Sequence, residues 1–477
     1  MCPAALVDPA ARDYDLPKSE APYHRFIMTF PPRAGASVMH VGAARMVMTP
    51  PLDVQRWGET GSSAHEDVHD DLFIRALVAR PGADAPPEQS VAIVACDAVG
   101  FDRRAFVEEV RALVQTQTGI PGENVLLTAT HTHNSPWTIR MHDVRIDAHW
   151  LHVWKRQLAS AVVLAHRRLR PARVAGGTGA LDVAQNRRVL CADGKVYKNW
   201  QRPKPAPVLR DGPIDPAVTV LWAEAEDGAP LAAVANYAMH PVTAMGLPVF
   251  SADFPGVAME RVERVVSAAA TGGSASFVSL YLNGAAGDVN PPEVRRSLQD
   301  TEHVGRRVGD AVLEVIHSIR ARTGQSEPAG EAVVASASTL LHPAFRETVP
   351  LEDARAAWEC ARGTRAARDA LRQYQLSAVA AEDDPLEIQV VRLGDLALVG
   401  VPGELFVEIG LAIKASSPAP VTAIAGYAND WQGYFPTPNA YDEGAYEVEP
   451  SASSRYTAEA GRQIAAAAGA LLGRLFT

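Results

Sequence analysis

Two short apolar runs set the strongest limit on what this chain can fold into: Val91-Ala-Ile-Val-Ala-Cys96 and Val125-Leu-Leu-Thr-Ala129. Each has the length of a buried strand. Between them Asp102 stands where it can cap a helix running to about Thr118. A strand, a helix and a second strand at this spacing read as a βαβ unit, because parallel strands need a long crossover. The first run delivers Asp97 at its end. The second runs into His131-Thr-His133-Asn-Ser-Pro136. An extended chain sets residues i and i+2 on one face, which would aim both imidazoles into one cavity. With 14 histidines in the sequence, that pair alone does not separate a metal site from chance.

Further strands are expected at Val38 to Met48, Leu72 to Ala79, Val174, Val218 to Ala223, Leu231 to Met239, Phe277 to Leu282, Ala332 to Leu341 and Val421 to Tyr427. Helices are expected over Asp147 to Arg168, Pro255 to Ala269, Thr301 to Arg322, Leu351 to about Gln375 and Thr457 to Leu475. The stretch Ile388 to Val401 reads as a hairpin turning at Gly394-Asp395, and its second strand leads through Pro402-Gly403-Glu404 into a helix. Gly58 to Asp71 is a polar loop holding His65 and His69. Residues 1–36 read as an irregular N-terminal arm, and residues 37–477 as one large α/β domain with a mixed sheet. No repeat and no flexible linker divides it.

One pattern recurs. Asp97, His131, His133, His240, Asp288 and Glu404 all follow expected buried strands. In α/β sheets the carboxyl ends of strands gather on one edge, where ligands bind. The bland alternative is that a strand end meets water and turns polar, and five such ends weaken it. The net charge of −10 argues against a nucleic-acid partner. No run of about 18 apolar residues offers a membrane span. Cys2, Cys96, Cys191 and Cys360 lack metal or disulfide-scaffold spacing, and Cys96 reads as a core residue. The start shows no secretory pattern, so a cytoplasmic protein is expected.

At this point the residues resemble a family. His131-Thr-His-Asn-Ser-Pro136 is similar to the His-Thr-His-Ser-Gly-Pro motif of the neutral ceramidases, zinc-dependent amide hydrolases. The resemblance continues in order through Val68 to Arg75, Asn186-Arg187, His240-Pro-Val, Ser251 to Gly256, Asn283 to Pro291, Pro402-Gly-Glu404 and Gly426 to Asn429. It implies a catalytic domain of the neutral ceramidase type over roughly residues 38–475, with one zinc per chain. His131, His240, Glu404 and Tyr434 are its implied ligands, and such a set with an open position suits catalytic zinc. It makes His133 a neighbour of the metal or of substrate, and sets His69, Arg187 and Tyr446 around the pocket. Arg187 could then stabilise an oxyanion, while an Arg187-Arg188 pair on a solvated turn is the plainer reading. For Tyr434 the plainer reading is an aromatic packed in a loop.

The departures from the family bear on function. The resemblance sets a serine, to which catalysis is attributed, where this chain has Asn290. Asparagine can hydrogen-bond a carbonyl but is no nucleophile. Asn134-Ser135 replaces Ser-Gly, and Trp137 stands where the family has glycines, which would reshape the entrance. The immunoglobulin-like C-terminal domain and the secretion signal of ceramidases are not expected here. A substrate smaller and more polar than ceramide follows. The leading expectation is a zinc hydrolase of a carboxamide, with His133 as proton shuttle and Arg187, Tyr446 and Asn290 orienting substrate. An ester or lactone hydrolase on the same site is the alternative. A second keeps His131 and His133 together as ligands of two metals. The third is a non-catalytic binding protein. The partner is a small molecule, and a homo-oligomer is compatible with the sequence.

Overall fold

The computed structural model describes residues 36–57, 67–140, 146–201, 203–269, 277–292, 297–323, 332–382 and 384–476. The N-terminal arm up to residue 35, Cys2 and His65 lie outside the described residues.

The apolar runs become the strands of two sheets. The larger has eight strands: β1 (Ser37–Val47), β2 (Phe73–Arg80), β3 (Val91–Cys96), β4 (Val125–Ala129), β5 (Arg170–Ala180), β6 (Ala217–Ala225), β7 (Pro230–Tyr237) and β8 (Val278–Asn283). Their order is β8-β7-β6-β5-β1-β2-β3-β4. The smaller sheet is β9 (Val334–Leu341), β10 (Leu386–Leu393), β11 (Leu396–Gly400) and β12 (Val421–Ala425), side by side in that order. Leu393 pairs with Leu396, so the hairpin does turn on Gly394-Asp395, with Gly394 at φ 58°.

Alternation along the strands sorts the side chains into layers. On β2, Ile74, Ala76 and Val78 face one core, while Leu77 and Ala79 face another. The first core packs against helices α1 (Arg103–Thr118) and α2 (Ala148–Arg167). On the same side, β6 to β8 pack against α3 (Asp253–Ala269) and α4 (Leu298–Thr323) through Trp222, Tyr237, Tyr281, Val262 and Val308. The second core lies between the two sheets, where Leu77, Ile93 and Leu280 meet Val391 and Leu398. The far face of the small sheet buries Ile388, Val399 and Ile424 against α7 (Val407–Ser416) and α8 (Glu459–Phe476). The chain is thus a four-layer helix–sheet–sheet–helix sandwich, the mixed-sheet α/β fold expected.

Two local expectations are corrected. Asp102 makes no side-chain cap to α1; its carboxylate takes the backbone N–H and the guanidinium of Arg140 at 2.9 and 2.7 Å. The helix expected over Leu351 to Gln375 is two helices, α5 (Leu351–Ala361) and α6 (Ala367–Glu382), broken at Gly363 with φ 76°. Glycine adopts that left-handed conformation without strain, so the chain turns there.

Three neighbouring pairs are parallel: β3–β4, β7–β8 and β11–β12. A helix lies between the strands of each pair in the chain, namely α1, α3 and α7. The chain past their carboxyl ends supplies the candidate site: His131 after β4, His240 after β7, Glu404 after β11 and Tyr434 after β12.

Candidate metal centre

The histidine pair leaves the strand before it reaches the site. β4 ends at Ala129, and His131 sits in the left-handed region at φ 69°. A non-glycine residue held there costs on the order of 1 kcal/mol. The expected strand alternation is therefore not what unites the two imidazoles; a turn does. That turn is fixed by His131 N–H donating to Ala98 O (2.9 Å), Thr132 Oγ1 to Ser251 O (2.7 Å) and Ser251 N–H to Asn134 O (3.1 Å). Asn134 itself donates to Leu247 O and Val249 O, and Ser135 to Thr132 O. These two replacements in the histidine motif serve the turn.

Opposite His131, the segment Gly426 to Asn429 docks on the free edge of β4. Asn429 gives its N–H to Leu127 O and accepts from Leu127 N–H through Oδ1. This brings Tyr427 onto His131, rings stacked at 3.9 Å and 15°.

His131, His133 and His240 converge, with nitrogen atoms that could hold a metal ion all within 4.8 Å of one another. Nδ1 of His131 faces Val99 O at 2.5 Å, and Nδ1 of His240 faces Ala286 O at 2.8 Å. A carbonyl only accepts, so each Nδ1 carries the hydrogen and each Nε2 is left with its lone pair. Those nitrogens point at Glu404, with His240 Nε2 3.3 Å and His131 Nε2 3.8 Å from Oε2. Burial holds all three imidazoles well below their usual range, so they are neutral. Glu404 Oε1 accepts from Trp431 Nε1 at 3.2 Å, whereas the buried Oε2 has no hydrogen-bond partner. Burial raises the Glu404 carboxyl; His131, Arg187 and the Tyr434 hydroxyl pull the other way.

These residues fit a metal cation. Two imidazole lone pairs and a buried carboxylate oxygen without a hydrogen-bond partner face one another, an arrangement that costs several kcal/mol unless a cation completes it. The carbonyl partners on Nδ1 are the kind of support that fixes ligating histidines.

Tyr434 is buried, with its hydroxyl 3.3 Å from that of Tyr446. Arg187 lies over both rings, at 5.5 and 5.1 Å. It donates to Glu447 Oε1 (3.0 Å), Gly287 O (2.5 Å) and Asn290 Oδ1 (3.4 Å). Arg187 and Arg188 are both buried, so the solvated-turn reading does not hold.

The remaining expected site residues divide. His133 has its Nε2 3.4 Å from His131 Nε2, and its ring meets Trp57 edge-on. Trp137 packs at 4.1 Å against Trp57, the ring that meets His133 edge-on. His69 pairs with Asp70 at 2.6 Å, and Asp70 also accepts from Ser251 Oγ, which ties His69 to the turn that carries the histidines. Asp97 and Asp288 are corrections to the strand-end pattern. Asp97 binds Arg75 and Phe73 N–H, while Asp288 accepts from Asn186 Nδ2 and Val407 N–H. Both brace backbone and leave the site to the others.

Sequence reasoning missed Glu447, Lys198 and Trp431. Glu447 is fully buried and accepts from Arg187, Arg188 and Lys198 at 3.0, 3.0 and 2.8 Å. The three cations hold its carboxyl down at about 2 against the cost of burial. Nothing local marks it, since its partners lie some 250 residues earlier.

The sequence profile described as "Neutral/alkaline non-lysosomal ceramidase, N-terminal" matches residues 41–305. The chain belongs to this family. A neutral ceramidase B of Dictyostelium discoideum is 29% identical over 178 residues, 35% of this chain and 24% of that protein's length. The crystal structure of neutral ceramidase from Pseudomonas aeruginosa superposes with a TM-score of 0.69 at 22% identity, covering 92% of this chain and 75% of that one. A structure described as ceramidase complexed with C2 gives a TM-score of 0.67 at 20% identity, over 92% and 76%. At those identities the likeness establishes the fold. Among the described residues, no helix is long and apolar enough to cross a membrane.

Proposed function

We propose that residues 37–477 act as a metal-dependent hydrolase of a carboxamide in a small, moderately polar substrate. One zinc ion per chain would be held by His131, His240, Glu404 and Tyr434. The observation that carries this reading is the unpartnered Oε2 of buried Glu404 facing two imidazole nitrogens fixed as acceptors. A zinc ion there would supply Lewis acidity toward a carbonyl and make water a stronger acid.

The protein's own groups do the rest. Asn290 stands where the family resemblance sets a serine, and an amide side chain offers no nucleophile, so water is the attacking group. Arg187 is held by Glu447 and Gly287 O with its guanidinium at Asn290, and its fixed positive charge would stabilise a developing oxyanion. The Tyr446 hydroxyl, 3.3 Å from that of Tyr434, would donate to the same oxygen. His133 is neutral and half-buried at the edge of the cluster, which suits it to carry a proton to the leaving nitrogen.

One observation favours a second reading. His133 Nε2 lies as close to His131 as a third ligand would, so His133 could replace Tyr434 in the metal set. Short N-acyl amides should be turned over by zinc-replete protein, with activity lost on chelation and restored by zinc. Turnover that survives complete metal removal would refute the proposal. His133→Asn is expected to keep its metal and lose turnover, whereas loss of metal in this variant would establish His133 as a ligand.

A further inference from the structure

The wall of the site beyond the two tyrosines carries more positive charge than it can neutralise. Arg187, Arg188 and Lys198 all meet the single carboxylate of Glu447. Glu443, the next acid, reaches Arg188 at 3.5 Å but is shared with Arg210. With Lys198 protonated, two positive charges are left over beside a chain whose net charge is −10. The two arginines are otherwise satisfied: Arg187 by Gly287 O and Asn290, Arg188 by Gly444 O and Ala440 O.

Lys198 is different. An ammonium has three donors. Among the described residues one goes to Glu447 Oε1 at 2.8 Å, and the Nζ lies 3.2 Å from the centre of the Tyr446 ring. No second acceptor is present for it there, and its side chain keeps 19% of its surface exposed. The Tyr446 ring beneath it is the one whose hydroxyl meets Tyr434. Burial and the two guanidiniums bring the Lys198 ammonium down to about 7, so a further anion would relieve it.

We infer that the site takes a substrate bearing a carboxylate, such as an N-acyl amino acid, and that Lys198 receives that carboxylate across the face of Tyr446. This rests on the metal-hydrolase reading above and narrows it to an anionic amide. A buried surplus of cations attracts an anion and repels an amine of the kind a cationic substrate would carry. Lysine suits the task as a compact point charge that can meet one carboxylate oxygen.

The test uses zinc-loaded protein and titration calorimetry with the monohydroxamates of succinic, glutaric and adipic acids. Each is compared with the same compound whose free carboxylate has become a primary amide. Hydroxamates bind metal without being cleaved as substrates, so binding is read apart from turnover. The best carboxylate compound is expected to bind about tenfold tighter than its amide partner, the size of one charge-assisted contact. In K198M that ratio should fall to about one, in K198E it should invert, and K198R should restore part of it. Equal binding of the two series by the unmodified protein, or an unchanged ratio in folded K198M, would overturn the inference and leave the metal centre standing. Failure of every hydroxamate to bind would overturn both.

Discussion

Two buried ionisable clusters lie side by side in this molecule, joined by Tyr434 and Arg187, and they are built on opposite rules. Around Glu447 donors meet an acceptor: three cations donate to one carboxylate, backbone carbonyls take most of the remaining arginine donors, and only Lys198 keeps donors to spare. At Glu404 Oε2 acceptors meet acceptors, because both imidazoles spend their hydrogens on carbonyls behind them and Trp431 donates to the other carboxylate oxygen. A satisfied cluster is scaffold and sets an electrostatic field. An unsatisfied one is a request for something the polypeptide lacks. Burial alone does not tell the two apart; the direction of the donors does.

The comparison is broken most severely by removing the acceptor from the satisfied cluster. Glu447→Ala leaves three buried cations without their carboxylate and should cost about 3–5 kcal/mol in denaturant unfolding. Metal binding in the folded fraction should persist. Glu404→Gln in metal-free protein should do the reverse, keeping stability within about 1 kcal/mol or raising it, since the carboxylate it removes stands next to an unmet demand. Equal destabilisation by the two substitutions would erase the distinction.

Acid should separate the clusters next. The folded-state value of Glu447 is depressed to about 2 from an ordinary 4.5. The unfolded chain therefore binds the extra proton between those values, and stability rises with pH across the window. The contribution, about 3 kcal/mol, is complete above pH 4.5 and is lost as pH falls toward 2. Unfolding free energies measured from pH 5 to pH 2 should show this slope, and Glu447→Gln should flatten it. The smallest expected effect tests the support of the metal set. Trp431→Phe removes the donor to Glu404 Oε1 and should weaken zinc binding about 10–100-fold in a chelator competition, with little change in stability.

Much of the scaffold could be read from the residues because it rests on local pattern. The runs Val91–Cys96 and Val125–Ala129 became parallel neighbours, and the Gly394-Asp395 turn fell where the hairpin requires it. The site was legible as residue types at strand ends, yet the reason given for His131 and His133 was not the operative one. A left-handed turn at His131, stabilised from Ala98 and Ser251, cannot be seen in a sequence that reads as continuing strand. Asp97 and Asp288 share the same sequence position as the candidate ligands, and only the placement of Arg75 and Val407 N–H turns them into braces. Glu447 and Lys198 carried no signal, since their meaning is a contact between segments far apart in the chain. The break at Gly363 was missed for a smaller reason: apolar spacing continued through it, and one glycine did not outweigh that pattern.

The most direct test of the account is elemental analysis of protein purified without chelators, set beside His240→Ala and Glu404→Gln. About one zinc per chain in the unmodified protein, lost in both variants while they remain folded, is the predicted result. No metal in the unmodified protein, or full occupancy in either variant, would contradict the claim that the orphaned acceptors form a metal site.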